Sequence, residues 1–167
     1  LALARGPDSR TTVLGNLGFL LEQRGDLAAA RRRYEEAIAA GALGEPRAIA
    51  QVNLGLLLAR QGDLAGAKAA QQAALKQAAM PDTRANALLN LGDLARRRGD
   101  LAAARAAYEQ ALRIRTWSET RAYGLLGYGR VLELEGHDTE AEACFRQGLD
   151  LNTDAERRAD LALALAA

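Results

Sequence analysis

The sequence repeats itself every 37 residues. Asn-Leu-Gly begins at Asn16, Asn53 and Asn90, and Gly-Asp-Leu follows in step at Gly25, Gly62 and Gly99. A fourth, degraded copy keeps Gly129 and Gly136 in the same columns. Arg10, Arg47, Arg84, Arg121 and Arg158 hold the spacing as well, each two residues after an acid: Asp8, Glu45, Asp82, Glu119 and Glu156. A fixed period of this length predicts a stack of like units, in which each unit buries its apolar face only against its neighbours.

Each period reads as two helices. In the third, Ala85, Leu88, Leu91, Gly92 and Ala95 recur at helical spacing, Gly99-Asp100 interrupts, and Ala104, Tyr108, Ala111 and Leu112 resume the pattern. Gly99 can take the left-handed conformation that ends a helix, and the Asp100 carboxylate can cap the next one. The acid near the start of each unit belongs in a first turn, where the helix dipole favours negative charge, and Pro7 and Pro81 suit a helix start. Composition agrees: 38 Ala against 6 Val plus Ile leaves little from which to build strands. Gly18, Gly55, Gly92 and Gly129 line up with Ala30, Ala67, Ala104 and Ala141, which predicts that the two helices of a hairpin nest where neither carries bulk. Tyr34, Tyr108 and Phe145 then fill the seam between hairpins. Gln71 stands in their column in the second unit and predicts a looser seam there.

Charge and chemistry narrow the function. The 22 basic and 21 acidic residues leave a net charge of +1, so no nucleic-acid partner is expected. The longest apolar stretch, Leu161 to Ala167, is too short to span a bilayer, so no membrane partner is expected either. A single cysteine forms no internal disulfide and points to a reducing, cytoplasmic setting. His137 stands alone in a turn, and Cys144 has no second Cys or nearby His with which to form a metal set or a nucleophile pair. Gly124, Gly127 and Gly129 fall inside a helical register and lack the lysine of a phosphate-binding loop. The expectation is a non-enzyme without metal or cofactor.

Leu14, Leu17-Gly18, Leu21, Gly25-Asp26, Ala30, Tyr34 and Ala37 resemble the signature of the tetratricopeptide repeat, and the third unit matches it as well. The resemblance covers essentially residues 11 to 158. It implies an all-α fold, a right-handed α-solenoid of antiparallel helix hairpins, with units at 11–47, 48–84, 85–121 and 122–158. Residues 1–10 then read as the tail of a preceding helix and a connection, and residues 159–167 as the start of a fifth unit or a capping helix. The family's usual unit is about 34 residues, so roughly three more are expected between each second helix and the next first helix.

The resemblance also implies where function lies, because the first helix of each pair lines the concave face of such a stack. The groove-facing columns then include Asn16 and Phe19, Asn53 and Leu56, Asn86, Asn90, Asp93 and Arg97, and Tyr123 and Arg130. The asparagines can donate to and accept from an extended peptide, the arginines can meet a carboxylate, and Phe19, Leu56 and Tyr123 can anchor apolar groups. Of the residues with which some relatives clamp a chain-terminal carboxylate, only Asn53 matches, so a different peptide or protein ligand is expected. The implied function is a protein-interaction scaffold, the repeat region of a larger regulatory bacterial protein. The alternative is a homo-oligomer assembled through apolar terminal helices with no groove ligand.

Overall fold

A computed structural model describes residues 6–151. The expectations for Leu1 to Arg5 and for the fifth unit at 159–167 lie outside the described residues, as does the acid–arginine pair Glu156 and Arg158. Among the described residues there are eight helices and no strand. They are α1 (Pro7–Gln23), α2 (Leu27–Ala39), α3 (Glu45–Arg60), α4 (Leu64–Leu75), α5 (Pro81–Arg97), α6 (Leu101–Leu112), α7 (Ser118–Leu134) and α8 (Asp138–Leu151). The chain divides into two compact units, one up to Ala87 and one from Leu88.

The turns follow from local chemistry. Gly25, Gly62, Gly99 and Gly136 have φ of +81°, +86°, +76° and +79°, a region that costs L side chains about 1–2 kcal/mol. Directly after them, Asp26, Asp63 and Asp100 accept from the N–H groups of Ala29, Gly66 and Ala103 at 2.9, 2.8 and 3.0 Å. These caps satisfy donors that a helix start otherwise leaves unpaired. His137 takes the place of the capping aspartate ahead of α8, and its Nδ1 lies 3.6 Å from Glu140. Asp8, Glu45, Asp82 and Glu119 all fall in first turns, and Pro7 and Pro81 open their helices. The connections between hairpins, 40–44, 76–80 and 113–117, are longer than the turns within them.

The column of helix glycines meets rings rather than alanines, which corrects the pairing drawn from the sequence. A Cβ on Gly18 would lie 2.7 Å from the Tyr34 ring, and one on Gly92 would lie 2.9 Å from the Tyr108 ring. Gly129 faces Phe145 in the same way. Only at Gly55 does the alanine column come near, with the Ala67 carbonyl oxygen 3.2 Å from where a Cβ would stand. An aromatic ring is flat, so it reaches across the hairpin and needs a bare backbone to lie against.

The rings serve the seam as well. In the first unit Tyr34 packs with Ala30 and with Leu57 of the following hairpin. In the compact unit from Leu88, Tyr108 packs with Leu89, Ala104, Ala111 and Val131. Gln71 replaces the ring in α4 and is fully buried; its Nε2 donates to the Val52 carbonyl at 3.0 Å, while its Oε1 is buried without a hydrogen bond.

Candidate functional site

In the first unit α1 and α3 pack side by side, so Asn16, Phe19, Asn53 and Leu56 lie on neighbouring helices. Asn16 is exposed and Asn53 half-buried, while Phe19 and Leu56 are 54 % and 36 % exposed. Asn86, in the part of α5 that belongs to this unit, is exposed. Two large apolar side chains in one column of the repeat therefore reach solvent. Beside them Glu22 is held on both oxygens: Tyr34 Oη donates to it at 2.9 Å, and the exposed Arg60 pairs with its other oxygen. Burial and the Glu22 carboxylate both push the Tyr34 hydroxyl above its ordinary value, so it remains a donor.

In the compact unit from Leu88, Asp93 occupies the column of Phe19 and Leu56 and organises its surroundings. Its Oδ1 accepts from Tyr108 Oη at 2.7 Å and from Arg96 Nη2 at 3.4 Å, and its Oδ2 accepts from Tyr123 Oη. Burial, then the neighbouring carboxylate, raise both tyrosine hydroxyls. Asp93 is thus committed to internal partners, and Tyr123 is held by its hydroxyl with its ring 36 % exposed. Arg97 is exposed and Arg130 half-buried. Asn90, in the column of Asn16 and Asn53, is only 9 % exposed.

Three roles escaped sequence reasoning. The Glu45 carboxylate, at the start of α3, accepts from the N–H groups of Ala79 and Met80 at 2.7 and 2.9 Å and from the Thr83 hydroxyl, so it caps the start of α5. Glu22 and Asp93 anchor tyrosines that reach across their own hairpins. An acid twelve or fifteen residues before a ring-column tyrosine is the one available signal, and the period alone does not single it out.

Glu45 gives a pH dependence with a defined sign. Burial acts to raise its pKa, but the bonds from Thr83, Met80 and Ala79 outweigh burial and hold the carboxyl below the ordinary range. A depressed folded-state pKa stabilises above the unfolded value, and that contribution is lost as pH falls through the folded value. Glu45→Gln should therefore cost about 1–3 kcal/mol at neutral pH, as expected for bonds to a charged group, and progressively less towards about pH 3. Melting curves of both proteins across that range test it; a difference independent of pH contradicts the assignment.

Among the described residues no group of three or more His, Cys, Asp or Glu could hold a metal ion, and no helix is long and apolar enough to cross a membrane. Cys144 is half-buried against the Phe145 cluster, and burial followed by Glu140 raises its thiol. Gly124, Gly127 and Gly129 all lie within α7, where Gly127 faces the Tyr108 ring.

Tandem helix hairpins with repeated glycine-to-ring contacts define an α-helical repeat protein. Tetratricopeptide-repeat family models match residues 10–41 and 46–116, together more than half of the chain. The chain belongs to the tetratricopeptide-repeat family. No curated protein matches it. Among solved structures it is similar to BtubC (BKLC) from P. vanneervenii, with a TM-score of 0.76 at 23 % identity, over 87 % of this chain and 64 % of that one. Similarity to pilF of Pseudomonas aeruginosa gives a TM-score of 0.80 at 21 % identity, over 97 % and 70 % of the two chains. The Cut9-Hcn1 hetero-tetramer of the APC/C is matched at 0.74 and 19 % identity, over 93 % of this chain and 30 % of that one. The chain thus spans less than two thirds of BtubC. At these identities the likeness establishes the fold, that of tetratricopeptide-repeat solenoids.

Proposed function

We propose that the chain is a protein-interaction scaffold that binds a peptide or partner protein on the exposed faces of its first helices. The fold supports protein–protein interaction in general, and the family is typically non-catalytic. The observation that carries the finer reading is the exposure of Phe19 and Leu56, 54 % and 36 %, in one repeat column on adjacent helices. Exposed apolar side chains gathered on one face mark contact surfaces. Asn16 and Asn53 beside them can pair with a partner's backbone, which favours an extended segment with an apolar side chain. In the compact unit from Leu88, the guanidinium groups of the exposed Arg97 and the half-buried Arg130 suit an acidic group. On this reading the chain is the repeat region of a larger regulatory bacterial protein, and its single cysteine suits a cytoplasmic setting.

The test is capture from source-cell lysate by the chain and by its Asn53→Ala/Arg97→Glu variant, read by mass spectrometry. Circular dichroism should show that the variant is folded. A protein retained by the parent and lost by the variant is the expected result. Identical captured sets from the two would remove these faces from consideration.

A further inference from the structure

Each connection between hairpins turns one large apolar side chain outward. Leu43, Met80 and Trp117 share a column of the repeat and are 73 %, 53 % and 72 % exposed. Only the third connection, in the compact unit from Leu88, sets two cations beside it. Arg113 and Arg115 stand there in the columns of Ala39 and Gly41 and of Lys76 and Ala78. Exposure alternates along this connection: Arg113, Arg115 and Trp117 are exposed, while Ile114 and Thr116 are half-buried. Trp117 has extended backbone, with φ of -60° and ψ of 154°.

The acids beside this connection are engaged elsewhere. Glu109 Oε1 accepts from Arg105 at 3.2 Å and from Tyr128 at 3.0 Å. Its Oε2 lies 3.9 Å from Arg113, a loose pairing that leaves the Arg113 side chain 77 % exposed. Glu119 sits in the first turn of α7, where the helix dipole favours it, and accepts from the Ser118 hydroxyl at 3.3 Å. Arg121 donates to the Leu112 carbonyl at 2.8 Å, at the end of α6. The side that 113–117 turns to solvent is therefore two guanidinium groups and an indole.

We propose that the 113–117 connection is a docking surface for an extended acidic segment of a partner protein. Acids at alternate positions of that segment meet Arg113 and Arg115, and an apolar side chain two residues further along lies against the Trp117 ring. Charge complementarity selects this occupant. An extended segment puts alternate side chains on one side, which matches the alternation here, and guanidinium groups bind carboxylates by charge-assisted hydrogen bonds. Arginine and tryptophan are also the side chains that most often anchor an interface. The connection lies outside the first helices, so this surface is separate from the faces proposed above.

Trp117 is the single tryptophan, so its emission reports on this surface directly. The probes are the capped peptide Leu-Thr-Glu-Thr-Glu and its reverse, with glutamine versions of both as controls. At low salt one acidic peptide should shift the emission to the blue, the glutamine versions should not, and added salt should weaken the effect. Arg113→Ala/Arg115→Ala should weaken binding about tenfold with the melting temperature unchanged. The Asn53→Ala/Arg97→Glu variant should bind the peptide as the parent does, which separates this surface from the first-helix faces. No shift with either acidic peptide, or a shift that survives loss of both arginines, would overturn the proposal. So would a shift produced by vesicles containing phosphatidylserine but by neither peptide, the occupant then being a membrane surface. A shift on concentrating the chain alone would overturn it in favour of a second copy.

Discussion

Tyr108→Ala should remove about 3–5 kcal/mol of stability, a large share of what a domain of this size possesses. The side chain is fully buried, packs with Leu89, Ala104, Ala111 and Val131, and faces Gly92 on one side and Gly127 on the other. Truncation opens a cavity between backbones that cannot close on it, because both glycines lie within helices held by other contacts. It also takes one donor from Asp93, which keeps Tyr123 and Arg96. Tyr108→Phe separates the two contributions: the packing stays, and only the bond to a charged acceptor is lost, about 1.5–3 kcal/mol. Urea denaturation of the three proteins should rank them wild type, Phe, Ala. A loss below about 1 kcal/mol for Ala would mean that the ring is not the joint between its own hairpin and the next.

The second result concerns sign. Gly92→Ala places a Cβ 2.9 Å from the Tyr108 ring, closer than real carbon contacts allow. Helix propensity alone favours alanine by about 1 kcal/mol. The ring is buried and bonded to Asp93, so it cannot yield cheaply, and overpacking of about 1–3 kcal/mol should win. Gly15→Ala is the control. It also lies inside a helix, but nothing stands within 4 Å of its added Cβ, so alanine there should stabilise by up to about 1 kcal/mol. Opposite shifts in melting temperature are expected from the same substitution. If both variants were stabilised, the glycine column would have no packing role.

Properties set by near neighbours in sequence could be read without a structure. Gly-Asp turns, the positive φ of Gly25 or Gly99 and the Asp26, Asp63 and Asp100 caps each depend on three or four consecutive residues. Periodicity also gave the helices, because it states which side of a helix is apolar. It does not state what stands opposite. Gly92 therefore drew the wrong partner, an alanine, where Tyr108 reaches over from the next turn of α6. The Glu45 cap on α5 was invisible for the same reason, since its partners lie thirty-four to thirty-eight residues away. At the candidate site, sharing a column did not mean sharing an environment: Asn16 is exposed where Asn90 is nearly buried, and Phe19 is exposed where Asp93 is engaged by two tyrosines.

Partner contact at the first-helix face is the central claim, and photo-crosslinking tests it most directly. A benzophenone side chain replaces Phe19 on the proposed face in one protein and the exposed Gln72 of α4 in another. A partner crosslinked from position 19 and absent from position 72 is the predicted result. Crosslinking from position 72 with none from position 19 would contradict the account.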